Sequence, residues 1–170
     1  PILTEFSTVC GQNKALCDTT DLLNQQSDSL DQAQQKSLEH SLRGFKLSGV
    51  NLEEKQKKEF QTLCTELSQL TTRFEENVLD STQAWHKHIT NIDELAGLPD
   101  YALATAKQAA QNSELDGYLL TLHAPCYIAV MQYANNRQLR QEMHLAYSTR
   151  DSDQGPHDTK FDNQEIIFSI

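Results

Sequence analysis

The sequence predicts a mainly α protein, an antiparallel bundle of long helices that carries a small two-stranded antiparallel β ribbon. Apolar residues recur at three- and four-residue steps over most of the chain, the spacing of one helical face. Two short stretches instead alternate with period two, as a half-buried strand does. No internal repeat, low-complexity tract or flexible linker interrupts the pattern.

From the start, Ile2, Phe6, Val9, Cys10, Leu16, Cys17 and Leu23 predict one long amphipathic helix, with Gly11 as its soft spot. Residues 25–29 are polar and short, a loop. Leu30, Gln34, Leu38, Leu42 and Phe45 mark a second helix that stops at Gly49, the residue best able to take a left-handed cap. Asn51 and Glu54 have capping-box spacing for a third helix. Its stripe is Phe60, Leu63, Cys64, Leu67, Leu70, Phe74 and Val78, and no Gly or Pro interrupts residues 52–80, a run of roughly 40 Å. The first two helices are expected to cover its apolar side.

Trp85 to Thr90 changes period and reads as a strand. Gly97-Leu98-Pro99 is a turn, with Pro99 placed to open an alanine-rich helix over 100–111. Gly117 to Leu122 reads as a second strand that pairs with the first. Pro125 opens a helix through Tyr133. Asn136 caps another, in which Leu139, Met143, Ala146 and Tyr147 face inward. Residues 151–156 form a loop, and a last helix is expected over Phe161 to Ile170.

A length of 170 residues suffices for a real core without staples. Twenty-four acidic against fourteen basic residues give a net charge of −10, which disfavours nucleic acid and anionic membrane surfaces as partners. No apolar run is long enough to span a bilayer, and no signal-peptide pattern opens the sequence. Cys10, Cys17, Cys64 and Cys126 form no C-x-x-C pair. The first two are separated by roughly 10 Å along one helix, too far for a disulfide, so the expectation is reduced thiols in the cytoplasm. The opening Pro1-Ile2-Leu3 and the apolar close Ile166-Ile167-Phe168-Ser169-Ile170 suggest a piece cut from a longer protein.

The best case for chemistry is Ala84-Trp85-His86-Lys87-His88-Ile89-Thr90. On a strand, His86 and His88 project on one face, and His123, after the second strand, could approach them. Zinc needs three or four ligands, and only Asp93 and Glu94 stand nearby. A solvated strand face is therefore the expectation, with no metal, cofactor or catalytic residue assigned. There is no G-x-S-x-G, no Gly-rich phosphate loop and no H-E-x-x-H. Glu53-Glu54 and Glu75-Glu76 lie on exposed helical turns. Arg137, Arg140 and Arg150 are expected to pair with Glu142, Asp151 or Asp153. No cationic motif is near enough to activate a cysteine.

Several runs go further. Leu42-Arg43-Gly44-Phe45-Lys46-Leu47-Ser48-Gly49-Val50, Asn77-Val78-Leu79-Asp80, residues 117–122 and Val130-Met131-Gln132-Tyr133 resemble segments of the thimet oligopeptidase and oligopeptidase A family of zinc metallopeptidases. So do residues 139–150, reading LRQEMHLAYSTR, then Ser152-Asp153-Gln154-Gly155-Pro156 and Asp162-Asn163. Their order and spacing are family-like across nearly the whole chain, and the bacterial oligopeptidase A branch is the most similar. The resemblance implies a parent that hydrolyses short peptides in the cytoplasm with one zinc, held by an H-E-x-x-H helix and a downstream Glu. None of those positions is here, so no catalytic residue carries over. It further implies an N-terminal helical lobe over 1–134 and the truncated opening helices of the catalytic region over 135–170. The partners would be the chain's own catalytic lobe and short peptides, and its task to wall the substrate channel. A helical protein–protein interaction module is the alternative. The apolar end over 161–170 is expected to self-associate or fray once apart from its partner lobe.

Overall fold

The computed structural model describes residues 2–26 and 29–170. It is mainly helical, with eight α-helices among the described residues and one two-stranded antiparallel ribbon. Two compact units divide at Thr71/Thr72.

In the first unit, α1 (Ile2–Gly11) and α2 (Lys14–Gln25) replace the single helix expected from the periodicity. The break falls at Asn13, whose extended backbone lets its side chain accept the Leu16 N–H at 3.1 Å. A short amide that competes for backbone donors makes a good cap and a poor helix interior, which is why the apolar pattern continues while the helix does not. Of the expected loop, Gln25 closes α2 and Gln26 caps it, while residues 27–28 lie outside the described residues.

Helix α3 (Gln32–Leu47) opens on a full capping box: Asp31 accepts from the Gln34 N–H at 2.8 Å, and Gln34 accepts from the Asp31 N–H at 3.0 Å. It ends at Ser48, and Gly49 follows in the left-handed region at φ 80°, as expected. Helix α4 (Glu54–Ala84) starts later than the Asn51 cap predicts. Asn51 sits in the preceding turn. Gln56 reaches back to accept the Glu53 N–H at 3.3 Å, and the Glu53 carbonyl accepts from Lys57 N–H at 2.9 Å. One half of the expected capping pattern, the side chain reaching back, is thus met two residues further on, from Gln56 to Glu53.

Burial in this unit is thin. Among its described residues, Val50 is the one fully buried apolar side chain. Helices α2 and α3 pack together, and Thr4 of α1 donates to the Ser68 hydroxyl of α4 at 3.0 Å. Within the expected α4 stripe, Phe60, Cys64 and Leu70 are half-buried, but Leu63 and Leu67 are 58% and 48% exposed. The inward face is rotated towards Gln61, Thr65 and Ser68, so the covering expected from the first two helices is only partial.

The second unit holds the core. Strands β1 (His86–Ile89) and β2 (Tyr118–Thr121) pair antiparallel, His86 opposite Thr121 and Ile89 opposite Tyr118. Ile89 and Leu120 turn inward to meet Leu122, Val130, Leu139 and Met143, with Trp85 packed at the margin. Helix α5 (Asp100–Asn112) has Pro99 at the capping position, one residue before the place predicted. Pro125 lies in the first turn of α6 (Ala124–Tyr133). Asn136 caps α7 (Arg137–Ser148) by accepting from the Gln138 and Leu139 N–H groups. On α7, Leu139, Met143 and Ala146 are buried and Tyr147 is half-buried, the inward face predicted.

The 151–158 loop then leads to a 3₁₀ turn (Thr159–Phe161) and α8 (Gln164–Ser169), which is shorter than the helix expected over 161–170. Gly155, at φ 132°, lies where a Cβ would run into the Thr149 hydroxyl. Only glycine meets both the backbone angle and the space.

Candidate functional site

The histidines of the opening motif do not converge. His86 and His88 project from the same side of β1 and both are exposed. His86 and His123 line one open recess, together with Thr121, Leu115 and Cys126. His88 turns away from it: its Nε2 lies 2.5 Å from the Asp116 carbonyl oxygen. A carbonyl can only accept, so the hydrogen sits on Nε2. Among the described residues, no group of three or more His, Cys, Asp or Glu side chains could hold a metal ion. The donor set here does not fit zinc, which needs three protein ligands even in an open catalytic site.

Beside that recess, the alanine face of α5 leaves an apolar cleft of about 80 Å³ between α5, β2 and α6, lined by Ala102, Ala106, Leu119, Pro125 and Ala129. Ligand pockets run to roughly 300–1,000 Å³, so this cleft admits a single small apolar group rather than a peptide. Cys126 lies at its edge, and its Sγ accepts from the Thr121 N–H at 3.4 Å. Burial pushes its thiol above the ordinary range, outweighing the opposing bond from Thr121. A protonated thiol is a poor nucleophile. The recess and cleft therefore offer shape without reactivity.

The arginines differ from expectation. Arg140 donates to the carbonyls of Ala134 and Asn135, closing the turn between α6 and α7. Arg150 stacks 3.7 Å above Tyr147, which stacks in turn on Tyr127 at 3.8 Å. Neither makes an ion pair with Glu142, Asp151 or Asp153. Glu142 pairs instead with Lys87 of β1, at 2.7 Å. A guanidinium plane lies well on an aromatic face, and the ring stack provides one close by.

The residue that organises this unit is Asn163, which periodicity did not single out. It is fully buried. Its Nδ2 donates to the Phe74 carbonyl and to Asp151 Oδ2, each at 3.2 Å, and its Oδ1 accepts from Asn77 Nδ2 at 2.7 Å. Its backbone N–H donates to the Asp151 carbonyl at 2.9 Å. With its side chain engaged in this way, Asn163 makes no capping bond to α8, although it precedes that helix. Asn77, Asp162-Asn163 and Tyr147 to Arg150 all fall within the family-like runs, and that was the available signal.

No family model matches the chain. Curated relatives do. Oligopeptidase A of Haemophilus influenzae is 44% identical over 172 residues, covering 100% of this chain and 25% of the relative. Oligopeptidase A of Escherichia coli is 44% identical over 174 residues, with the same two shares. A probable cytosolic oligopeptidase A of Arabidopsis thaliana is 36% identical over 179 residues, again with 100% and 25% covered. The chain thus spans about a quarter of the length of these relatives, their N-terminal quarter. By this full-length similarity, the chain belongs to the oligopeptidase A family and is an N-terminal portion of such a protein.

Proposed function

We propose that this chain is the non-catalytic N-terminal part of a zinc metallo-oligopeptidase that hydrolyses short peptides, and that it forms part of the substrate-channel wall. The observation that carries the reading is whole-length similarity to a quarter of several peptidases. The sequence contains no H-E-x-x-H, and among the described residues no group of three or more His, Cys, Asp or Glu could hold a metal ion. In this reading zinc belongs to the remaining three-quarters of the polypeptide, where a metal would acidify water and polarise the scissile carbonyl. Residues 1–134 belong to the helical lobe and residues 135–170 open the catalytic region. The partners are that region and short peptides. The cytoplasm is the expected compartment, in keeping with a plant relative described as cytosolic.

A quenched fluorescent peptide tests the proposal. The 170-residue chain should not cleave it with or without zinc, and the polypeptide extended through its missing portion should. Chelator-sensitive turnover by the 170 residues alone would overturn the assignment. A second reading, a helical interaction module, is favoured by the apolar side chains that α1 leaves in solvent, Ile2, Leu3, Phe6 and Val9. It would replace the first if the full-length protein hydrolysed nothing and captured one stoichiometric protein partner.

A further inference from the structure

We propose that the Asp116–Gly117 peptide bond is a built-in site of isoaspartate formation, promoted by His88. Asp116 stands in the connection between α5 and β2, where Glu114 (φ 58°) and Gly117 (φ 93°) both take left-handed backbone conformations. Its side chain is exposed, and among the described residues no hydrogen bond or ion pair holds its carboxyl group. The next residue has no side chain to crowd its nitrogen. The Asp116 carbonyl is the acceptor of the 2.5 Å bond from His88 Nε2–H. That bond draws electron density from the Asp116–Gly117 amide and so acidifies the Gly117 N–H, the group that must lose its proton to become a nucleophile.

The chemistry needs only water. The Gly117 nitrogen attacks Asp116 Cγ, an N–Cγ bond forms, the amide proton passes to solvent, and a carboxyl oxygen departs as water. The five-membered succinimide then takes up one water. Breaking the N–Cγ bond restores aspartate, and breaking the original peptide C–N bond leaves the chain running through the side-chain carbonyl. No oxidant, reductant or other co-reactant takes part.

Four other aspartyl or asparaginyl residues precede a serine; Asp28 lies outside the described residues, Asp80 lies within α4, and the remaining two are held in place. Asp151, before Ser152, gives its carbonyl and its Oδ2 to Asn163. Asn112, before Ser113, accepts from Gln108 Nε2 at 3.0 Å within α5. Asp116 is the one aspartyl or asparaginyl residue of the sequence that glycine follows. An added backbone methylene there would lie one residue short of Tyr118, the first paired residue of β2, and would disturb its register with Ile89.

The test is to age the folded 170-residue chain at neutral pH and map isoaspartate by peptide mass spectrometry. Isoaspartate should accumulate at 116 ahead of 112 and 151, and the aged chain should melt at a lower temperature. Asp116→Glu, which disfavours the five-membered ring, should abolish the signal at 116. His88→Leu should slow it several-fold, and His88→Gln, which keeps a donor, should restore much of the rate. Accumulation at 116 no faster than at 151 would overturn the site. Equal rates in the wild-type chain and His88→Leu, with both folded by circular dichroism, would overturn the role of His88.

Discussion

Residues 2–71 and residues 72–170 have the same helical periodicity and put it to opposite use. Among the described residues, sixteen of the seventeen buried apolar side chains lie at or beyond Ile89, and Val50 is the exception. Helix α1 leaves Ile2, Leu3, Phe6 and Val9 between 58% and 81% exposed, although its spacing is as regular as that of α7. An amphipathic pattern says that a face is apolar. It does not say that the covering surface belongs to the same stretch of chain. Ordering a residue costs about 1–2 kcal/mol of backbone entropy, whereas fully burying a large apolar side chain returns about 1.5–3 kcal/mol. The second unit has the burial to offset that cost within itself, and the first does not.

The comparison can be broken most directly in the core. Met143→Ala empties a fully buried site and should cost about 2–5 kcal/mol. Leu63→Ala, on the exposed side of α4, should stay within about 0.5 kcal/mol. Urea titration followed by far-ultraviolet circular dichroism reads the helices of both units, and the fluorescence of Trp85, the sole tryptophan, packed against the core, singles out the second. Equal losses from the two substitutions would refute the contrast.

Asn163→Ala tests whether the second unit depends on its polar node as well as its apolar packing. The change takes the second donor from the Phe74 carbonyl, which keeps its helical bond, leaves the Asn77 amide without its acceptor, and should cost about 1–3 kcal/mol in thermal unfolding. Asn163→Asp should not rescue it, because the new carboxylate would face Asp151 and donate nothing. A melting temperature unchanged by Asn163→Ala would show that the node only decorates the core.

The smallest effect concerns Cys126. Burial raises its folded-state pKa above the unfolded value, so its contribution to stability is fully present below the ordinary thiol pKa and is lost as pH rises through the folded value. Alkylation of the native chain at Cys126 should therefore set in at higher pH than alkylation of the urea-unfolded chain. Identical pH profiles would show that the α5–α6 cleft shields nothing.

The fold class, the ribbon and its pairing, the Asn136 cap and the inward face of α7 were legible because each rests on local periodicity or one capping residue. The break at Asn13 was not, because Val9, Cys10, Leu16 and Cys17 keep an unbroken rhythm across it. The stripe of α4 was legible as a stripe, but its rotation was set by what packs beside Thr65 and Ser68. Asn163 was invisible to pattern reading, since its partners Phe74 and Asn77 lie 89 and 86 residues away. The pairing of Glu142 with Lys87 follows from the same kind of distant contact, and it displaced the arginine pairs that sequence neighbours suggested.

Gly155 gives the loop after α7 a rule of its own. Thr149, the residue any added side chain would strike, is itself tied by its hydroxyl to the Leu145 carbonyl, so swinging aside would break that bond at the end of α7. Position 155 thus tolerates one amino acid of twenty, while its exposed neighbour Gln154 is under no such restriction. A single missing carbon atom sets the path by which the polypeptide returns towards Asn163.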